Sequence, residues 1–370
     1  MHENKSARNN GFVFLLCLLV AIVISFVPTI GATGLINTKI LNIFLVGITV
    51  LCYLIVTLMS GKIKLMSFIL IVIDIMIVIL NQSFEMISLA IIIMLIDVFD
   101  FDDSIDYRKI LIVFFLISSS LFSVILLMYW FFNFNNHDIS IWRIDKVIYR
   151  KSLGFVQPNV ASMLWIGIFF SFAGLLNDSY IRLKIFIFTC ISLFIFTYTQ
   201  SRTSMYVLLS ISCLIFLFGK KVNNIAPRVI TNLVFCVPIL LSIVSLLALF
   251  LPLNLTINNI LSGRLVLYKS FFNDYGINLL GQPLLENAMF DNGYLQSLLS
   301  KGILFFAEQI FILVVVFGHR RCYSYISLFI FVGYYLIGFT ETALQHFELI
   351  LPVIIVSMIV PKNQIDKGEL

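Results

Sequence analysis

Charge is scarce in this chain. Asp, Glu, Lys and Arg together supply 12% of its 370 residues, about half the share found in a soluble globular domain. So little charge cannot clothe a water-facing surface of this size, which excludes an ordinary soluble enzyme. No run of Lys or Arg is dense enough for a nucleic-acid patch. Cysteine is equally sparse. Of six, Cys17, Cys52, Cys190, Cys213 and Cys236 lie inside apolar runs and Cys322 at the edge of one. None has paired metal-site spacing, so they read as small apolar side chains. The chain has no repeat at a fixed period and no low-complexity segment. The first apolar run, Gly11 to Val27, lacks an Ala-x-Ala cleavage site. It is therefore expected to stay as a first span rather than leave as a signal peptide.

What fills the chain is hydrocarbon: 61% hydrophobic and 15% aromatic residues, with 37 Phe. A bilayer core takes about 20 apolar residues per helix. Twelve such runs are present, at 11–29, 40–59, 65–80, 84–100, 110–132, 158–176, 185–199, 203–219, 229–251, 293–317, 322–338 and 342–360. The expected fold is an all-α polytopic membrane protein of one domain, residues 1–370, with about twelve transmembrane helices. Most of the 24 Lys and Arg fall on one side if the N-terminus is inside, which orients both termini towards the cytoplasm. The two long loops, about 133–157 and 252–292, then lie outside. Loops of that length in a compact membrane protein are usually functional.

Four candidate helix starts share this outer side. Arg150 to Asn159 carries Gly154 at a bend, then Gln157, Pro158 and Asn159; Pro suits a first helical turn, where its missing N–H has no partner to lose. Ser201-Arg202-Thr203 offers hydroxyls to cap a second helix. Ser262-Gly263-Arg264 opens an expected amphipathic helix on the bilayer surface. Asp291-Asn292-Gly293-Tyr294 caps the tenth run. Helix N-termini hold unpaired N–H donors and a partial positive charge, and arginine adds a planar fork for phosphate oxygens. Arg150, Arg202 and Arg264 beside outward helix starts therefore make a candidate pyrophosphate-binding set. The alternative is that each arginine reaches lipid headgroups on its own.

Acids and a histidine complete the candidates. Asp74 and Glu308 lie deep in apolar runs, whereas Asp97 begins an acidic series that reads as a solvated loop. Glu341, His346 and Glu348 open the last run; a helix there would put Glu341 and Glu348 on one face. Trp130, Trp142, Tyr149 and Tyr294 are expected either to stack on sugar rings or to form an interfacial belt.

These residues, Arg150, Ser152-Leu153-Gly154-Phe155, Pro158-Asn159, Ser201-Arg202-Thr203, Gly263-Arg264, Asp291-Asn292-Gly293-Tyr294 and Thr340-Glu341, taken in order, resemble the Wzy-type polysaccharide polymerases. That family belongs to the O-antigen polymerase and ligase superfamily, and the similarity is greatest to capsule and exopolysaccharide members of Gram-positive bacteria. It covers residues 100–360, with a large late extracytoplasmic loop. Relatives often have His where this chain has Gln157, which places any general base elsewhere.

The resemblance implies a GT-C-like glycosyltransferase in the bacterial cytoplasmic membrane. Its implied reaction joins oligosaccharide repeat units carried on undecaprenyl pyrophosphate, by inverting, metal-independent transfer without a cofactor. Implied partners are the lipid-linked oligosaccharide, the bilayer, and a chain-length regulator and flippase of the same pathway, with no nucleic acid. Glu341, His346 and Asp291 are the candidate catalytic groups, in no order. Two rival functions remain: a glycan ligase of the same superfamily, and a secondary transporter or lipid-linked sugar flippase. The second should show repeated halves and midplane substrate groups, whereas the polar motifs here gather at one surface.

Overall fold

A computed structural model describes residues 2–359 apart from 61–63, 82–83, 101–104, 144–145, 177–178, 253–257, 259–262, 283–284, 286–287, 289 and 320–321. Helices dominate it: α1 His2–Gly31, α2 Thr38–Ser60, α3 Leu65–Asn81, α4 Ser88–Phe99, α5 Tyr107–Phe132, α6 Pro158–Gly174 and α7 Ile181–Thr199. Then come α8 Arg202–Phe218, α9 Arg228–Phe250, α10 Arg264–Tyr275, α11 Gly293–Leu299, α12 Ile303–Phe311, α13 Tyr325–Thr340 and α14 Phe347–Met358. Among the described residues six helices are long and apolar enough to cross a membrane: Gly11–Gly31, α2, α5, α7, the α8 stretch Arg202–Asn223, and α9. Six further apolar helices are shorter.

Burial explains the lengths. The outer helices turn apolar side chains outwards, Leu58 and Leu65 among them, being 81% and 72% exposed. Water would oppose such a surface, and lipid accepts it. The short helices α4 and α14 are instead buried almost throughout. Helix α14 packs against α1, α4, α5, α6 and α13 and is the centre of the bundle. At 1.5 Å per residue, twelve residues reach about 18 Å of the roughly 30 Å hydrocarbon core. Neither inner helix is therefore long enough to span that core by itself.

Hydrogen bonds tie the connections together at each end. At one end Val156 N–H donates to the Ala32 carbonyl (2.8 Å) and Lys151 N–H to Tyr198 (2.9 Å). At the opposite end Ala226 N–H donates to Tyr323 (2.8 Å), and the Asn223 amide to Leu176 (3.3 Å). Successive apolar helices thus run in alternating directions.

Three expectations are corrected. The run 293–317 is two helices, not one, broken at Ser300-Lys301-Gly302. Gly302 has φ +95° and Gly281 φ +90°, and the two backbones lie against each other so closely that a Cβ on either would overlap the other strand of chain. Ile303 N–H donates to Asn278 (3.0 Å) and Gln282 N–H to Ser300 (2.7 Å), so the late loop inserts where a straight helix would bond to itself. Gly302→Ala combines a disfavoured φ with overlap, each costing about 1–3 kcal/mol. Its thermal unfolding in detergent is expected well below that of the wild type; an unchanged midpoint would contradict the packing described.

The second correction concerns the last run. Residues 341–346 form a turn between α13 and α14, so Glu341 and Glu348 do not share a helix face. The Tyr334 hydroxyl donates to the Leu344 carbonyl, and the Leu344 side chain sits directly on Gly338. That packing folds the chain back. The third is the loop 133–157, which holds an antiparallel hairpin, β1 Ile139–Arg143 and β2 Lys146–Arg150, pairing Ile139 with Arg150.

Candidate functional site

The hairpin end, four helix starts and two helix ends meet at the bundle face that carries both long loops. Arg150, the last residue of β2, is only 6% exposed. Its Nε donates to the Thr199 carbonyl at the C-terminus of α7 (2.8 Å), and a terminal nitrogen donates to Asn159 Oδ1 in the first turn of α6. A cation at a helix C-terminus is favoured by the exposed carbonyls and the dipole. Gly154 (φ +88°) and Leu153 (φ +55°) turn the chain between hairpin and helix, and Pro158 opens α6.

Helix α8 starts beside them. Ser201 occupies its N-cap but bonds Ser204 through the two hydroxyls (3.2 Å), not a backbone N–H. This corrects the capping expectation: the hydroxyl is used sideways, between neighbouring turns. Thr203 Oγ1 donates to Glu341 Oε1 at 3.5 Å.

From the late loop come Arg264 and Asp291, joined by an ion pair of 2.8 Å. Gly263 (φ +84°) precedes α10, and Ser262 lies outside the described residues. Asn292 caps α11 as the sequence suggests, its Oδ1 accepting the Tyr294 and Leu295 N–H groups at 3.0 Å each. Gly293 lets this start approach the Gly338 and Glu341 carbonyls. Asn292→Ala removes the cap and is expected to cost about 1 kcal/mol, read as a small fall in unfolding temperature. No fall would mean that the cap contributes nothing. Tyr294 is fully buried, so it packs the site from within and cannot meet a sugar ring.

Glu341 is the focus. It is 6% exposed, at the end of α13, with its backbone extended. Burial, and then the Asp291 carboxylate, raise its pKa from the ordinary carboxylate range to about 7. Arg264, Arg150 and the Thr203 hydroxyl oppose that rise. The structure thus brings Arg150, Thr203, Arg264 and Asp291 around one carboxyl group. Such a group is poised between proton acceptor and donor near neutral pH.

Two expected members stand apart. Arg202 is exposed at the start of α8 and is not among the charges acting on Glu341. Gln157 is exposed at the N-cap of α6. His346 lies next door: its Nδ1 is 2.9 Å from Glu348 Oε1, and the pair faces a separate cavity. Trp130 packs edge-on against Tyr129 and Tyr198, with the Lys151 ammonium 4.7 Å over its ring, while Tyr149 is exposed.

Sequence reasoning missed Tyr268, which sits within the field of Arg264, Asp291 and Glu341. It also passed over Lys301, buried at the α11–α12 break. The signal for Lys301 was available: Lys-Gly inside an otherwise apolar run.

No family model matches the chain, and neither a curated protein nor a solved structure matches it. The functional reading rests on the residues and their arrangement.

Proposed function

We propose that this chain is a membrane glycosyltransferase that polymerises oligosaccharide repeat units carried on undecaprenyl pyrophosphate. In this reading the twelve apolar runs, short helices together with the segments that flank them, cross the cytoplasmic membrane of a bacterium, both termini are cytoplasmic, and the Glu341 face looks outwards. One observation carries it: two guanidinium groups, Arg150 and Arg264, and the α8 start with Thr203 converge on the buried Glu341.

The chemistry follows from those groups. Glu341 as carboxylate takes the proton of an acceptor sugar hydroxyl. The hydroxyl oxygen bonds to the anomeric carbon of the donor from the face opposite its phosphate, so the centre inverts. The anomeric C–O bond breaks with its electron pair passing to the pyrophosphate. Charge grows on that leaving group, and fixed arginines with helix N–H donors stabilise it most when it is greatest. Asp291 holds Arg264 in place through its 2.8 Å pair.

A deletion strain supplies the test. Without this protein, single lipid-linked repeat units should accumulate and polymer should vanish; restoring the wild-type chain should reverse both. Accumulation of long, lipid-linked polymer would instead identify a ligase and contradict the polymerase reading. Unchanged lipid-linked pools would contradict both.

A further inference from the structure

Helix α10 brings two groups to the site. Arg264 is its first residue, and Tyr268 follows four residues later. That spacing puts both side chains on one face of the helix, their Cβ atoms about 5–6 Å apart. The segment Phe290-Asp291 holds the two together. The Asp291 carboxylate pairs with Arg264 Nε (2.8 Å), and the Asp291 backbone N–H lies against the Tyr268 phenol oxygen. The Phe290 ring stacks on the Tyr268 ring, with centroids 6.4 Å apart and planes at 11°.

The ring and its hydroxyl have different surroundings. The buried ring belongs to a small apolar core between α9, α10 and α11, with Leu249, Leu285, Phe290, Leu295 and Leu299. That core explains an aromatic ring at 268 and would accept Phe as readily. Packing leaves the hydroxyl unexplained. It lies in the field of Arg264, Asp291 and Glu341, at the charged edge of the core. A phenol has one proton to give and lone pairs that accept. Among the described residues no acceptor takes that proton. Burial raises the phenol's pKa; Arg264 opposes the rise, and the two carboxylates add to it. The hydroxyl therefore keeps its proton around neutral pH and stays a donor. A buried O–H without an acceptor is costly, and an oxygen of a bound substrate removes that cost.

We infer that the Tyr268 hydroxyl is a substrate contact, donating a hydrogen bond to an oxygen of the pyrophosphate that Arg264 holds. This rests on the glycosyl-transfer reading of the same site. A neutral donor beside a guanidinium suits a phosphate oxygen. Arg264 supplies the charge, and the phenol adds a directed bond without a second charge to offset. Asp291 then has two tasks. Its carboxylate fixes Arg264, and its N–H occupies the phenol oxygen, which leaves the phenol proton for the substrate.

The test is binding to the purified full-length protein, measured by native mass spectrometry with two probes: undecaprenyl pyrophosphate, and undecaprenol, which has the chain and no phosphate. Wild type should prefer the pyrophosphate. Tyr268→Phe keeps the ring and its stacking on Phe290 and removes only the hydroxyl. It should bind undecaprenyl pyrophosphate about tenfold more weakly than wild type, the value of one hydrogen bond to a charged group, and bind undecaprenol unchanged. If Tyr268 only packs the core, Tyr268→Phe binds both probes as wild type does; if its loss distorts the site, both weaken together. Either result overturns the contact while leaving the wild-type preference, and so the pyrophosphate reading, in place. Wild type that prefers neither probe would instead contradict that reading, and this contact with it.

Discussion

Glu341→Gln is expected to lower polymer formation by about 10²–10⁴-fold, the usual worth of a positioned general base, while leaving the fold intact. Gln has the same shape and can keep the Thr203 contact, but cannot take a proton. The wild type should also show a pH limb. With the pKa near 7, the group is neutral and inactive well below that value, so activity should rise as pH increases through about 7. In Glu341→Gln the limb should disappear along with the activity. Stability should move the other way. A carboxyl whose folded pKa is raised stabilises the fold fully only below its ordinary value of 4.5. That contribution is lost as pH rises through about 7. The glutamine variant should lack this decline and melt no lower than wild type in alkaline buffer. Full polymer from Glu341→Gln would remove Glu341 from the chemistry.

Arg150→Ala should have the second largest effect, and two consequences must be separated. Arg150 organises the site by bonding the Thr199 carbonyl and Asn159. Its loss leaves the buried Thr199 carbonyl without that donor, at about 1–3 kcal/mol. If it also stabilises the leaving pyrophosphate, the folded fraction should react about 10²–10³-fold more slowly, as for loss of a single charge-stabilising donor. Single-turnover rates normalised to folded protein distinguish the roles: a purely structural arginine would leave that rate unchanged. Arg150→Lys keeps the charge but cannot bond Thr199 and Asn159 through one planar fork. It should recover only part of the rate.

The apolar helices were legible because lipid demands long apolar runs, and each of the twelve runs contains at least one apolar helix of the structure. Local punctuation was equally legible: Pro158 opens α6 and Asn292 caps α11. The features that escaped depend on distant packing. Nothing in the periodicity of 293–317 announces that Gly281 will press against Gly302. The turn 341–346 is fixed by Tyr334 and Gly338, several residues back, so Glu341 and Glu348 looked like helix neighbours and are not. The helix start placed Arg202 correctly along the chain but did not set its rotation, which leaves it exposed. Arg150, Arg264 and Glu341 were legible as separate candidates. Their convergence required the hairpin, which the alternation Ile139-Ser140-Ile141 only hinted at.

The most direct measurement is polymerisation by the purified protein in sealed vesicles supplied only with undecaprenyl-pyrophosphate-linked repeat units. The account predicts a ladder of lengthened, lipid-linked products with release of free undecaprenyl pyrophosphate, absent with Glu341→Gln. Repeat units that remain single with folded wild-type protein, or a ladder that persists in Glu341→Gln, would contradict it.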